Sequence, residues 1–488
     1  MSISRILSHL AVDAPDDAIP QASYDAAVKM LLDTCACAFA GRKAPGIAEL
    51  IQLETELSAQ GNGSIYFSDT QLTLPAAVFC NAAMIHAMDF DNNYPGADIH
   101  ILAIVVPIAL ACSEEKHVDG QRCLSSMIRG VEVASRLAKP YIRARRAHSY
   151  FLTTSLVGGW GGVATAAYLL GLSVEQTIHA MGIYYAHTCG NRQALLERAL
   201  SKRIQPAIAA RAALYSVLLA QRGLTGPEYC FEGAGGFYAC YTQDPPPEEV
   251  VFRSDSFDAI GELVVKKFPT CGIHHANVIS ALHLKQEIGF TGSDIAKVEF
   301  YLREGGKTLV SMPFTPGPTP QVDAQFCAPY AIALALNKGR VSIHDFRPEQ
   351  ILADQETIDL AQRTTEVIHI EDLALKNYPQ PVPGCHYLKV FLRNGTILEH
   401  ECRGGVPNDR TLMKLPDVLE KFHTCACMYD DVEPAIINEW IEALMAIQTT
   451  KDSRKFIQTV LVRPGMRKPN ISTAEVTHRL LVPMGTRD

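Results

Sequence analysis

Up to about Tyr241 the chain repeats one pattern, apolar residues three and four apart in blocks closed by glycine or proline. SYDAAVKMLLDTCACAFAG has this spacing and stops at Gly41, which predicts an amphipathic helix. LPAAVFCNAAMIHAMDF is apolar on nearly every face and rich in alanine, so it predicts a helix buried all round. HILAIVVPIALACSEE and QRCLSSMIRGVEVASRLAK continue in the same style. SLVGGWGGVATAAYLLGL carries so many small residues that neighbouring backbones must approach it closely. Ser173 opens SVEQTIHAMGIYYAHTCG, and Gln176 completes a capping box. IQPAIAARAALYSVLLAQRG is a further buried helix, ended by Gly223 and the turn signal TGP.

The pattern changes after TQDPPPEEV, an acidic and proline-rich break. AKVEFYLREG alternates as a strand does, and CHYLKVFLRNGTILEHECRG predicts a hairpin turning at Asn394-Gly395. Helical spacing returns in LPDVLEKFHTCAC and PAIINEWIEALMAI. The expected fold is mainly α with a smaller α+β domain. A large helical domain is built from both chain ends, residues 1–258 and 404–488, with an α+β lid, residues 259–403, inserted between them.

Composition adds mostly exclusions. With 48% hydrophobic and 20% charged residues, the 488-residue chain can fill a sizeable core. A formal charge of -8 offers no global field for nucleic acid or anionic membranes. The short basic cluster Arg143, Arg145 and Arg146 reads as a solvated loop. No apolar run reaches the roughly 18 residues of a membrane span, and MSISRILSHLAVDAPDD has neither a secretory core nor the composition of a transit peptide. The expected location is therefore cytoplasmic, with mitochondrial as the other option. The 14 cysteines are expected as free thiols.

The most unusual stretch is HAMDFDNNYPGADIH, residues 86–100, dense in ionisable groups at the end of an apolar helix. As a calcium loop it fails, with Tyr94 where glycine is needed and His100 where glutamate is needed. The pairs Cys35/Cys37 and Cys425/Cys427 are too close for usual zinc spacing; His423 and the run Cys271, His274, His275 leave a metal as a lesser alternative. EGAGG follows a helix and turn rather than a strand, so it is no dinucleotide site, and there is neither a P-loop nor a GxSxG elbow. Cys271 reads as an inert thiol before a nucleophile. Cofactor-free acid–base chemistry remains, with Asp89, Asp91, His100, Lys202, Lys266, Lys267 and Tyr330 as its candidates. Each alone has an ordinary structural explanation as a cap, a snorkelling lysine or a bonded core side chain.

Several segments resemble, in order, those of the MmgE/PrpD family, which includes 2-methylcitrate dehydratase, cis-aconitate decarboxylase and some isomerases. They are LLDTCACAFAG, HAMDFDNN with the following His100, KRIQPAIAARAA, GLTGPEYCFEGAGGF, KKFPTCGIHHANVISAL and AQFCAPYAIALAL. The resemblance implies a helical domain with an inserted lid, a homodimer, no metal or other cofactor, and an active site in the cleft between the domains. It implies that Asp89 orients His100, the acid or base, and that Lys202 and Lys266 hold substrate carboxylates. Tyr330 would donate a proton or hydrogen bond, and Asn93 stands where a substrate-binding threonine is common. His275, in the same matching segment as Lys266, falls among the substrate contacts.

The chain departs from the pattern at Leu152, where many relatives carry a histidine, and at Cys271, where some carry another. His148, four residues upstream of Leu152, is the nearest imidazole to that gap and the catalytic candidate to fill it, while Leu152 and Cys271 are themselves expected among the substrate contacts. The implied function is a lyase that decarboxylates or dehydrates a citrate- or aconitate-like polycarboxylate, a small-molecule substrate. The alternatives are an isomerase or epimerase using the same pocket, or a non-catalytic carboxylate-binding homologue.

Overall fold

The computed structural model describes residues 1–95, 97–145, 149–242, 256–302, 307–367, 369, 386–402, 413–429 and 431–462. The helical body has α1 (Gln21–Gly41), α2 (Leu74–His86), α3 (Leu102–Lys116), α4 (Gly120–Ala144), α5 (Thr153–Leu170), α6 (Val174–Tyr185) and α7 (Gln205–Gln221). Every residue of α5 is buried. Its small residues account for that position. A Cβ on Gly161 would lie 2.5 Å from the carbonyl oxygen of Gly130 in α4, and one on Gly159 would enter the Tyr184 ring of α6. The predicted capping box at Ser173 and Gln176 is formed at the start of α6.

The second region has α8 (His275–Ile288), α9 (Ala328–Lys338) and α10 (Gln355–Gln362) against a four-stranded sheet. Its strands are β1 (Ile295–Tyr301), β2 (Thr364–Glu366), β3 (His386–Leu392) and β4 (Ile397–Cys402), in the order β2-β1-β3-β4. β1 and β2 are parallel and the other pairs antiparallel. The β3–β4 hairpin turns at Asn394-Gly395 as the sequence predicts, and Gly395 supplies the left-handed turn residue at φ 87. The chain then returns to the body, where α11 (Leu415–Ala426) packs on α1. The fold is mainly α with a smaller α+β part, as expected.

This return reaches the site directly. Lys421 of α11 is buried and forms an ion pair at 2.6 Å with Asp33 of α1. Its ammonium also donates to the carbonyls of Phe90, at 2.7 Å, and Lys266, at 3.1 Å. The 86–100 turn, the Lys266 segment and α1 are thus held by one cation. The 13 cysteines among the described residues are free thiols, and none of the described helices is long and apolar enough to cross a membrane.

Candidate active site

α2 ends at His86, and the following turn reverses the chain into α3. Asp89 adopts a left-handed backbone, φ 49, which aspartate tolerates better than most residues. Asn93 pairs with Val264 through two backbone hydrogen bonds of 2.9 and 2.8 Å, a short ladder that brings Lys266 alongside Asp89. Lys202 arrives from the helical turn leading into α7.

Asp89 lies between the two lysines. Its Oδ1 accepts from Lys202 Nζ and its Oδ2 from Lys266 Nζ, the latter at 2.7 Å. Burial alone would push this carboxyl up, but Lys202 and Lys266 outweigh it and hold Asp89 well below the carboxylate range. Lys266 is fixed further by the carbonyls of Asp89, at 2.8 Å, and Thr270, at 3.3 Å.

Asp91 faces the imidazoles. His86 Nδ1 lies 3.0 and 2.9 Å from its two oxygens, and His100 Nδ1 stands 3.2 Å from Oδ2, off a good hydrogen-bond angle. The Lys202 ammonium, a donor without acceptor capacity, is 2.7 Å from His86 Nε2. Nε2 of His86 must therefore accept, which places its proton on Nδ1 and makes the ring neutral. Burial is also the largest cause lowering the His86 pKa to about 4. The two histidines and Lys202 hold Asp91 and Asp89 as anions at adjoining points. His100 is positioned by Thr154 of α5, whose hydroxyl accepts from its backbone N–H at 3.1 Å. Its Nε2 has no protein hydrogen-bond partner among the described residues, and the ring lines the cavity.

The cavity holds about 230 Å³ between the body and the α+β region. Asp89, Asn93, His100, Leu152, Lys202, Lys266 and Cys271 line it, so most of the sequence candidates meet there. The buried Oδ1 of Asn93 has no partner. Leu152 packs with Leu195, Val322 and Phe326 into an apolar wall, with Cys271 against it. Burial pushes the Cys271 thiol up, and Asp89 adds to the shift, so this cysteine is a poor nucleophile. A larger cleft of about 420 Å³ lies behind Phe90 and Lys421, but its described lining carries no imidazole.

The expected arrangement is corrected at several points. Asp91, rather than Asp89, stands against His100, because the two lysines occupy Asp89. Tyr330 is fully buried in α9 against Phe314 and Phe346 and does not line the cavity. Burial raises its phenol pKa, and packing rather than proton donation explains its place. His275 does not line the cavity either. Its Nε2 bonds the Thr270 carbonyl at 3.2 Å, and burial lowers its pKa to about 3. Arg145, read from sequence as part of a solvated loop, lines the cavity together with Arg192. His148 lies outside the described residues.

His86, Asp91 and His100 also present ligand atoms within 4.8 Å of one another, a spacing that suits a metal. The Nδ1 proton of His86 already occupies the Asp91 oxygens that an ion would need, so the His86–Asp91 hydrogen bond fits these atoms better. His86 and Thr154 were not among the sequence candidates, and Asp91 had no assigned role. The signal for the first was the spacing of His86 and Asp91 across one tight turn; Thr154 gave none.

Cis-aconitate decarboxylase of Aspergillus terreus is 27% identical over 288 residues, which cover 57% of this chain and 59% of the fungal enzyme. The enzymes of that name from Mus musculus and Homo sapiens are 25% and 26% identical, each over 66% of this chain and over 67% and 68% of their own. The chain thus spans about three-fifths of the length of the Aspergillus terreus enzymes it matches. Residues 5–250 match the MmgE/PrpD N-terminal domain and residues 268–445 the MmgE/PrpD C-terminal domain. With both domains matched over most of its length, this chain belongs to the MmgE/PrpD family.

Proposed function

We propose that the protein is a cofactor-independent lyase acting on a citrate- or aconitate-like polycarboxylate, and that decarboxylation is its reaction. The observation that carries this reading is the free Nε2 of His100 facing a cavity that also presents Lys202 and Lys266. The lysines hold a substrate carboxylate, and Asn93 Oδ1 accepts from a substrate hydroxyl or protonated carboxyl. When the allylic C–C bond breaks, carbon dioxide leaves and its electron pair passes into the remaining unsaturated carboxylate. Lys202 and Lys266 stabilise the charge that builds there. His100, protonated and charge-balanced by Asp91, delivers a proton from Nε2 to carbon.

Leu152 favours this route over dehydration. Decarboxylation needs one proton delivered, whereas dehydration needs one removed from carbon and another given to the leaving hydroxyl. His100 is the one imidazole among the described lining residues. The same observation supports a second reading, isomerisation, in which His100 removes a proton and returns it to a neighbouring carbon.

The test is proton NMR in heavy water on chelator-treated protein, with cis-aconitate and a 2-alkylcitrate as substrates. A vinyl product carrying deuterium is expected from cis-aconitate. Deuterium exchange without loss of carbon dioxide would establish the isomerase instead, and unchanged substrates would overturn both readings. Lys202→Ala is expected to lower kcat by about two to three orders of magnitude; full turnover would remove the lysine's role. The reading also includes a homodimer, turnover without metal, a cytoplasmic location, and residues 259–403 acting as the lid.

A further inference from the structure

The cavity contains a second pair of cations. Arg192 is held by its backbone N–H, which donates to the Tyr150 carbonyl at 2.8 Å, and Leu152 N–H answers across the same short ladder to Gly190 at 3.2 Å. Arg145 follows the end of α4. Their side chains are 13% and 25% exposed, so both guanidiniums are largely withdrawn from water. Asp98 is their shared counter-charge, but its Oδ2 stands 3.8 Å from Arg192 and 3.9 Å from Arg145, beyond hydrogen-bond reach. Arg145 Nη1 is buried and has no partner among the described residues.

The charges do not balance. Among the lining residues, Arg145, Arg192, Lys202 and Lys266 face Asp89 and Asp98, four cations against two carboxylates. Asp98 is the one carboxylate among the lining residues that the two arginines share, so this pair carries a positive charge in excess. Two largely buried guanidiniums near one another are costly without an anion. Burial is the main cause lowering the Arg192 pKa, and Arg145 adds to it while Asp98 opposes it. Guanidinium forks suit carboxylates, which they bind with two parallel hydrogen bonds.

We propose that Arg145 and Arg192, with Asp98, form a second carboxylate subsite that selects substrates carrying a further carboxylate beyond the one held by Lys202 and Lys266. The assignment rests on the polycarboxylate reading above and deepens it. Asp98, half-exposed and beyond hydrogen-bond reach of both, screens the pair's mutual repulsion without satisfying either guanidinium. Its left-handed backbone, φ 48, projects it from the tip of the turn that also carries Asn93 and His100.

The test is calorimetric binding to the full chain, using 3-methylglutarate and 3-methylpentanoate, which differ by one carboxylate replaced with methyl and undergo no reaction. The wild type is expected to bind 3-methylglutarate roughly ten- to a hundredfold more tightly. Arg192→Gln and Arg145→Gln should bring this ratio towards one, while Arg192→Lys retains part of it. Melting temperatures establish that the variants are folded. A glutamine variant that is folded and keeps the wild-type ratio overturns the subsite, as does a wild type that does not discriminate. The two proposals separate cleanly. Cis-aconitate turnover with an unchanged binding ratio and KM in Arg192→Gln removes the subsite and leaves the lyase. A collapsed ratio without turnover of any substrate removes the lyase and leaves the subsite.

Discussion

The two sides of the 86–100 turn use the same acid for different purposes. On the lysine side Asp89 meets two ammoniums, has both oxygens engaged and is closed to further chemistry. On the imidazole side Asp91 meets the neutral His86 ring, which donates from Nδ1, and the His100 ring, whose Nε2 is left open to the cavity. Both carboxylates are buried and both are held as anions, by lysines in one place and largely by histidines in the other. A fixed positive charge makes a binding surface, whereas a titratable one makes a proton carrier. Lys202 links the sides, since it touches Asp89 and His86 together.

The comparison breaks most severely at Asp89. Asp89→Asn keeps the shape and tolerates the left-handed backbone but leaves Lys202 and Lys266 buried without their counter-charge. A loss of about 3–5 kcal/mol is expected in denaturant unfolding. Asp91→Asn should act on rate instead. Kcat should fall by about two orders of magnitude, about 3 kcal/mol, with a smaller change in stability, because imidazole orientation and charge balance are what it removes. If Asp91→Asn destabilises as much as Asp89→Asn while turnover survives, the division between the sides is wrong.

Acid sharpens the contrast. His86 has its folded pKa lowered from 6.5 to about 4, so between those values the unfolded chain binds the proton more readily. Stability therefore falls as pH drops through this window, by about 3 kcal/mol from this group. His275, lowered to about 3, acts in the same direction. Asp89 and Asp91, both depressed, contribute stability above the unfolded carboxylate pKa that is lost below it. Unfolding measured from pH 7 to pH 4 should show the decline, and His86→Gln should flatten its upper part. The smallest effect is expected at Tyr330. Tyr330→Phe removes a buried hydroxyl that has no partner and should alter kcat less than threefold and stability by about 1 kcal/mol or less.

Legibility in the sequence followed the range of the interactions. The capping box at Ser173, the Asn394-Gly395 hairpin and the buried character of α5 are local and could be read directly. The 86–100 stretch announced itself by composition, and the family segments located His100, Lys202 and Lys266. Which aspartate serves which partner could not be read. Lys202 and Lys266 reach Asp89 across 113 and 177 residues, and alternation along a turn does not reveal which side each carboxylate faces. Arg145 was hidden for the opposite reason, since a run of arginines ordinarily marks a solvated surface. Tyr330 misled because a motif fixes position along the chain and not the direction of a side chain.

The clamp at Lys421 has a consequence for how the protein is made. Its ammonium holds the Phe90 carbonyl from 331 residues further along the chain. A ribosome has therefore added these 331 residues before the 86–100 turn acquires its final brace, and until then Asp33 waits without the Lys421 ammonium. The helix that carries Lys421 thus braces a turn made much earlier, so premature termination before residue 421 yields a body that contains His100 and both aspartates yet lacks the piece that locks them.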